Sequence, residues 1–72
     1  MHTSSAVSIS VNGEPFEVPA GSNITSILGL LKIAPDRVAV ELNKMLVRKR
    51  DWGSADVGNG AQIEIVEFVG GG

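Results

Sequence analysis

The end of the chain carries the residues with the most chemical promise. Gly70-Gly71-Gly72 follow a β-rich stretch directly and finish in a carboxylate with no side chain beside it. Glycine lacks a Cβ, so such a tail can thread a narrow channel and bring its end close to a bound nucleotide. Extended, Val69 to Gly72 would reach about 13 Å past the preceding strand, at roughly 3.3 Å per residue. Inside an activating enzyme, an unhindered carboxylate is expected to attack the α-phosphate of ATP and form an acyl adenylate. A sulfur nucleophile can then displace AMP and leave a thiocarboxylate. Composition alone suits a disordered end or a cloning remnant equally well. Two features favour the chemical reading: the tail follows the last strand without a spacer, and the chain closes on the glycines.

Side-chain chemistry is poorly provided for. There is no cysteine, so a thiolate nucleophile, a disulfide and a thiolate metal site are all excluded. Any sulfur must arrive from a partner. The one histidine, His2, sits in a patternless start, which leaves no Ser-His-Asp set to assemble. No glycine falls in the spacing of a phosphate-binding loop. Glu64 and Glu67 differ in strand parity, so they point to opposite faces and do not converge as an acid and base. No metal site is expected.

The elements that must present this end can be read from period and punctuation. Val7, Ile9 and Val11 alternate with serines as a half-buried strand. Asn12-Gly13 then signals a two-residue hairpin. Phe16 and Val18 form the return strand, with Pro15 and Pro19 expected to bracket it and keep it short. Asn23 is a candidate N-cap. Ile24, Ile27, Leu28 and Leu31 recur at the spacing of one helical face. Gly29 weakens this helix by about 1 kcal/mol relative to alanine, and Pro35 is expected to mark its stop. Val38, Val40 and Leu42 give a third strand. Asn43-Lys44 turns into a short segment holding Met45 to Val47. After a connection containing Trp52 and a Gly58-Asn59-Gly60 turn, Gln62 to Phe68 is expected as the final strand. Trp52 reads as a satellite anchor of the core, with its indole N–H paired at the rim.

One helix over one face of a mixed sheet of four to five strands buries every apolar stripe found. With the first and last strands as neighbours, this α+β arrangement is a β-grasp. Residues 7–68 are expected to form the domain, 1–6 a disordered N-terminal segment, and 69–72 a flexible glycine tail. In the last strand Ile63 and Ile65 should enter the core. Val66 and Phe68 lie on the face the helix leaves open, and apolar groups there suggest a partner site. Val66, Phe68 and Val69 are therefore the expected docking residues, Gly70 and Gly71 the threading residues, and Gly72 the reactive one.

The chain has 72 residues, 43% of them hydrophobic, and a formal net charge of −2. That length holds one domain with a modest core and little room for a deep cavity. The charge disfavours nucleic-acid binding, which leans on phosphate neutralisation. No apolar run approaches the roughly 20 residues that span a membrane, and the start does not read as a signal peptide. A cytoplasmic chain, monomeric on its own, is expected. The basic run Arg48-Lys49-Arg50 suits a solvated loop, or a contact with an acidic partner surface.

Arg37-Val38-Ala39-Val40-Glu41-Leu42-Asn43, the segment from Val47 to Trp52, and the ending Ile63 to Gly72 resemble the ThiS family of thiamine-pathway sulfur carriers. The resemblance spans Val7 to Gly72. A diglycine end is common to ubiquitin-like carriers, whereas the Arg37–Asn43 stretch with Trp52 and the final Phe68-Val69-Gly70-Gly71-Gly72 is more specific. The family usually has Val-Pro-Arg before the tryptophan; here the proline is missing and Lys49 stands where the arginine is expected. The resemblance implies a ubiquitin-like β-grasp, and adenylation of Gly72 by an ATP-using, ThiF-like enzyme. It further implies sulfur from a donor such as a cysteine desulfurase, and transfer to thiazole synthase, ThiG. The chain would bind no cofactor itself, and the ATP would be the partner's. Three other readings stay open. One is the small subunit of molybdopterin synthase, with the same tail chemistry and another recipient. The others are an RNA-binding β-grasp module and an interaction domain that never carries sulfur.

Overall fold

Asn12 and Gly13 both take positive φ, 51° and 85°, which is the backbone a two-residue hairpin of this hand requires. They join β1 (Ala6–Val11) to β2 (Glu14–Pro19) in antiparallel register, from Val11 opposite Glu14 to Ala6 opposite Pro19. The computed structural model describes residues 5–68. β1 begins at Ala6, one residue ahead of the expected domain start, and Ser5 already accepts a hydrogen bond from the Ala20 amide. Pro15 and Pro19 lie inside β2 instead of bracketing it. Counted from the closing pair Val11–Glu14, both fall at non-hydrogen-bonded positions of an outer strand. The N–H groups they lack would have faced solvent, so the ladder loses nothing.

α1 (Ile24–Leu30) starts as expected. Asn23 Oδ1 accepts the Ser26 amide at 2.8 Å, and Ser26 Oγ accepts the Asn23 amide at 3.0 Å, a reciprocal capping box. Ile24, Ile27 and Leu28 are buried, and Leu31 packs partly buried against the same core. The helix stops well before Pro35. Lys32 turns left-handed, with φ 60°. Its amide donates to Gly29 O at 3.1 Å and the Ile33 amide to Leu28 O at 3.0 Å. This pair of bonds is a Schellman cap, which usually recruits glycine; here the bonds offset the strain on a lysine. Pro35 instead opens a 3₁₀ turn, Pro35–Arg37.

A Cβ at Gly29 would meet no atom within 4 Å. Gly29→Ala is therefore expected to stabilise the fold by roughly 0.5 kcal/mol, seen as a melting temperature a few degrees higher. An unchanged or lower value would show that backbone freedom at Gly29 does not limit stability.

β3 (Val38–Leu42) and β4 (Met45–Val47) form a second hairpin across Asn43 and Lys44, whose φ values are 52° and 71°. β5 (Gln62–Glu67) ends one residue earlier than expected, although the Phe68 amide still donates to Arg37 O at 2.7 Å. The sheet order is β2-β1-β5-β3-β4, with β5 parallel to β1 and antiparallel to β3. The last strand of the chain thus occupies the centre of the sheet. Ile9, Val11, Val18, Val38, Val40 and Ile63 form one buried cluster with the helical residues Ile24, Ile27 and Leu28. Trp52, in a 3₁₀ turn spanning Lys49–Ser54, belongs to this same cluster and is no satellite. The turn lies against α1, and Trp52 Nε1 donates to Val47 O at 2.9 Å, so the indole is buried and paired. One helix on one face of a five-stranded mixed sheet is the α+β β-grasp. No helix among the described residues is long and apolar enough to cross a membrane.

Candidate functional site

Strand alternation sorts the residues of β5. Ile63 is fully buried and Ile65 packs half-buried against the core, both on the helix side. Gln62, Glu64 and Val66 point the other way. Val66 and Phe68 remain 58% and 53% exposed. These are the two docking residues expected from parity, and the structure leaves both open. Val69, Gly70, Gly71 and Gly72, the rest of the expected site, lie outside the described residues, as does His2.

The register adds one residue that the sequence reading did not assign to this face. Val40 faces the core and pairs with Val47, so Leu46, opposite Glu41, shares the open face with Val66. Leu46 is 67% exposed. Ala39 lies between the two strands' contributions, directly opposite Val66. Ala39, Val66 and Phe68 form a short apolar band on the open face, with Leu46 diagonal to Ala39 and directly across from Glu41. A three-residue strand is too short to reveal its own parity, and only its pairing with β3 gives Leu46 a side.

Charge is distributed around this band. Arg37 adjoins Phe68 through the Phe68 N–H bond to its carbonyl. Glu41 and Glu64 pair directly across β3 and β5, away from the chain exit. Within the basic run, Lys49 is committed to Asp36 by an ion pair whose partners are both exposed. The hydrogen bond from the Lys49 ammonium, reinforced by its charge, lowers the pKa of the Asp36 carboxyl below its usual value. The pair's contribution is thus present at neutral pH and fades as pH falls through that lowered value; solvent and salt keep it small. It ties the turn Lys49–Ser54 to the turn Pro35–Arg37. Arg48 and Arg50 are exposed and have no ion-pair partner among the described residues.

Turn asparagines brace β5 and its neighbour β1. Asn43 Oδ1 accepts the Gln62 amide at 2.9 Å, and the Asn43 amide donates to Gln62 O at 2.7 Å. Asn59 Oδ1 accepts the Ser8 amide at 2.9 Å. Among the described residues no group of three or more His, Cys, Asp or Glu is placed to hold a metal ion. What the arrangement offers is a fixed central strand whose outer face ends in the exposed apolar residues Val66 and Phe68.

Known proteins share this sequence and shape. The ThiS family model matches residues 9–72. A crystal structure of the thiamine biosynthesis protein ThiS from Geobacter metallireducens superposes with a TM-score of 0.81 at 33% identity. That superposition covers 92% of this chain and 100% of the other. An uncharacterized protein, ycf40, of Porphyra purpurea is 33% identical over 66 residues, covering 92% of this chain and 93% of its own. A thiazole synthase of Magnetococcus marinus is 42% identical over 64 residues, 89% of this chain; the chain spans only 20% of that protein's length.

Proposed function

Since this chain belongs to the ThiS family of thiamine-pathway sulfur carriers, we propose that its working group is the carboxylate of Gly72. In this reading a ThiF-like adenylating enzyme binds ATP and docks the open face of the carrier. One Gly72 carboxylate oxygen attacks the α-phosphorus, the bond to the β-phosphate breaks, and pyrophosphate leaves. A sulfur nucleophile then attacks the carbonyl carbon, either sulfide itself or the terminal sulfur of a persulfide on a cysteine desulfurase or similar donor, in which case a thiol reductant cleaves the resulting acyl disulfide. AMP departs with the bonding electrons, and a thiocarboxylate remains. Thiazole synthase receives that sulfur. The chain contributes a reachable end and a docking face, while the partners contribute nucleotide and catalytic side chains. It acts as a carrier turned over by other enzymes, in the cytoplasm.

The observation that carries this reading is the exposed pair Val66 and Phe68 at the end of the central strand, separated by Val69 alone from three glycines. The stretch similar to this chain inside a protein named thiazole synthase supports thiazole synthase as the recipient. The test is intact-mass spectrometry after incubation with ATP, a sulfur source and the adenylating enzyme of the same organism. The expected result is a gain equal to sulfur replacing one oxygen, located at Gly72 and lost again on turnover with thiazole synthase. No gain, with the enzyme active on another carrier, would overturn the proposal.

A further inference from the structure

β1 and β5 run side by side for only two register pairs, Ser10 with Gln62 and Val11 with Ile63. The hairpin then carries β1 away while β5 continues to Glu67. Main-chain groups of Gln62 and Phe68 bond toward the β3 side. Those of Ile63, Ile65 and Glu67 alternate with them and face the side that β1 has left. At Ile65 the side chain of Asn12 stands in for the missing strand. Its Oδ1 accepts the Ile65 amide at 2.7 Å and its Nδ2 donates to Ile65 O at 3.2 Å. The Asn12 amide itself donates to Ile63 O at 2.8 Å. One residue therefore extends the ladder a step past the end of β1. Beyond that step a cleft of about 390 Å³ opens, with Asn12, Ile65 and Glu67 on its wall.

We propose that Asn12 is a positioning residue for the activation of Gly72, acting by aiming the end of β5. The proposal rests on the carrier reading above. A turn at this place needs only a residue that tolerates positive φ, and glycine does so at no steric cost. The carboxamide is additional, and it is spent on Ile65, a residue 53 positions away. Past Ile65, β5 is held on one side by β3 and by Arg37 O. On the other side, among the described residues, the last hold is Asn12. Without it the docking face survives, but the strand leading out of it is freer in direction. Reacting atoms must approach within about 3–3.5 Å in a defined line, so such freedom lowers turnover more than binding.

The test is N12G, which keeps the turn and removes both side-chain bonds. The Ile65 amide is expected to exchange with solvent about 10-fold faster or more, as local opening becomes easier. With the adenylating enzyme, kcat should fall roughly 10-fold while KM for the carrier stays within about twofold. N12D retains the acceptor for the Ile65 amide but sets a charged oxygen against Ile65 O in place of the donor, and should lower kcat about fivefold. Wild-type kcat in N12G, or wild-type exchange at Ile65, would overturn the role of Asn12. If N12G does not fold, N12D carries the test alone: about fivefold lower kcat is expected from one lost hydrogen bond, and wild-type kcat overturns the proposal. A wild-type carrier that is never activated would instead sink the carrier reading itself.

Discussion

Deleting Gly72, or adding one residue after it, is expected to abolish ATP-dependent activation and leave the melting temperature unchanged. An extended residue advances the chain by about 3.3 Å. In-line attack tolerates far less, since a misplacement of about 1 Å can already cost 100-fold in rate. Either change therefore removes the carboxylate from the α-phosphate by several times the permitted error. The folded core ends at Ile65 and is untouched. The check is adenylation by pyrophosphate release, beside a thermal melt. Activation of either variant at the wild-type rate would mean that Gly72 is not the reacting residue.

Phe68→Glu is expected to raise KM for the adenylating enzyme roughly 30-fold, as loss of a central apolar anchor of about 2 kcal/mol does at other interfaces. Phe68 is 53% exposed, and its main-chain bond to Arg37 O does not depend on the side chain. Stability should consequently change little, with a melting temperature within about 2 °C of wild type. A large fall in melting temperature would place the ring in the fold instead of the interface. An unchanged KM would move the docking surface elsewhere.

Much of this molecule is legible from local signals. Asn12-Gly13 announces the first hairpin, the spacing of Ile24, Ile27 and Leu28 announces α1, and parity alone puts Val66 and Phe68 on the open face. The features that escape reading depend on pairings between distant residues. Lys32 carries a left-handed cap of the kind glycine usually supplies, so the helix ends before Pro35, the stop expected from the sequence. Leu46 acquires its face only through register with Glu41. Trp52 joins the main core because its turn folds onto α1. Asn12 and Asn43 look like turn residues in the sequence, because nothing local shows that their side chains reach β5.

The two outer strands have a bearing on how the protein behaves in company with itself. β2 presents Pro15 and Pro19 toward solvent, where another chain would look for amide donors. β4, on the opposite rim, is three residues long and stands between Lys44 and Arg48. Neither rim offers a long, flat, uncharged template onto which a second copy can add. On the carrier reading, apolar surface exposed on one sheet face is paired with rims that give a second copy no strand to add to. Here the face is sticky and the edges are blunt, so crowding of many copies favours encounters with a shaped partner over growth into fibrils.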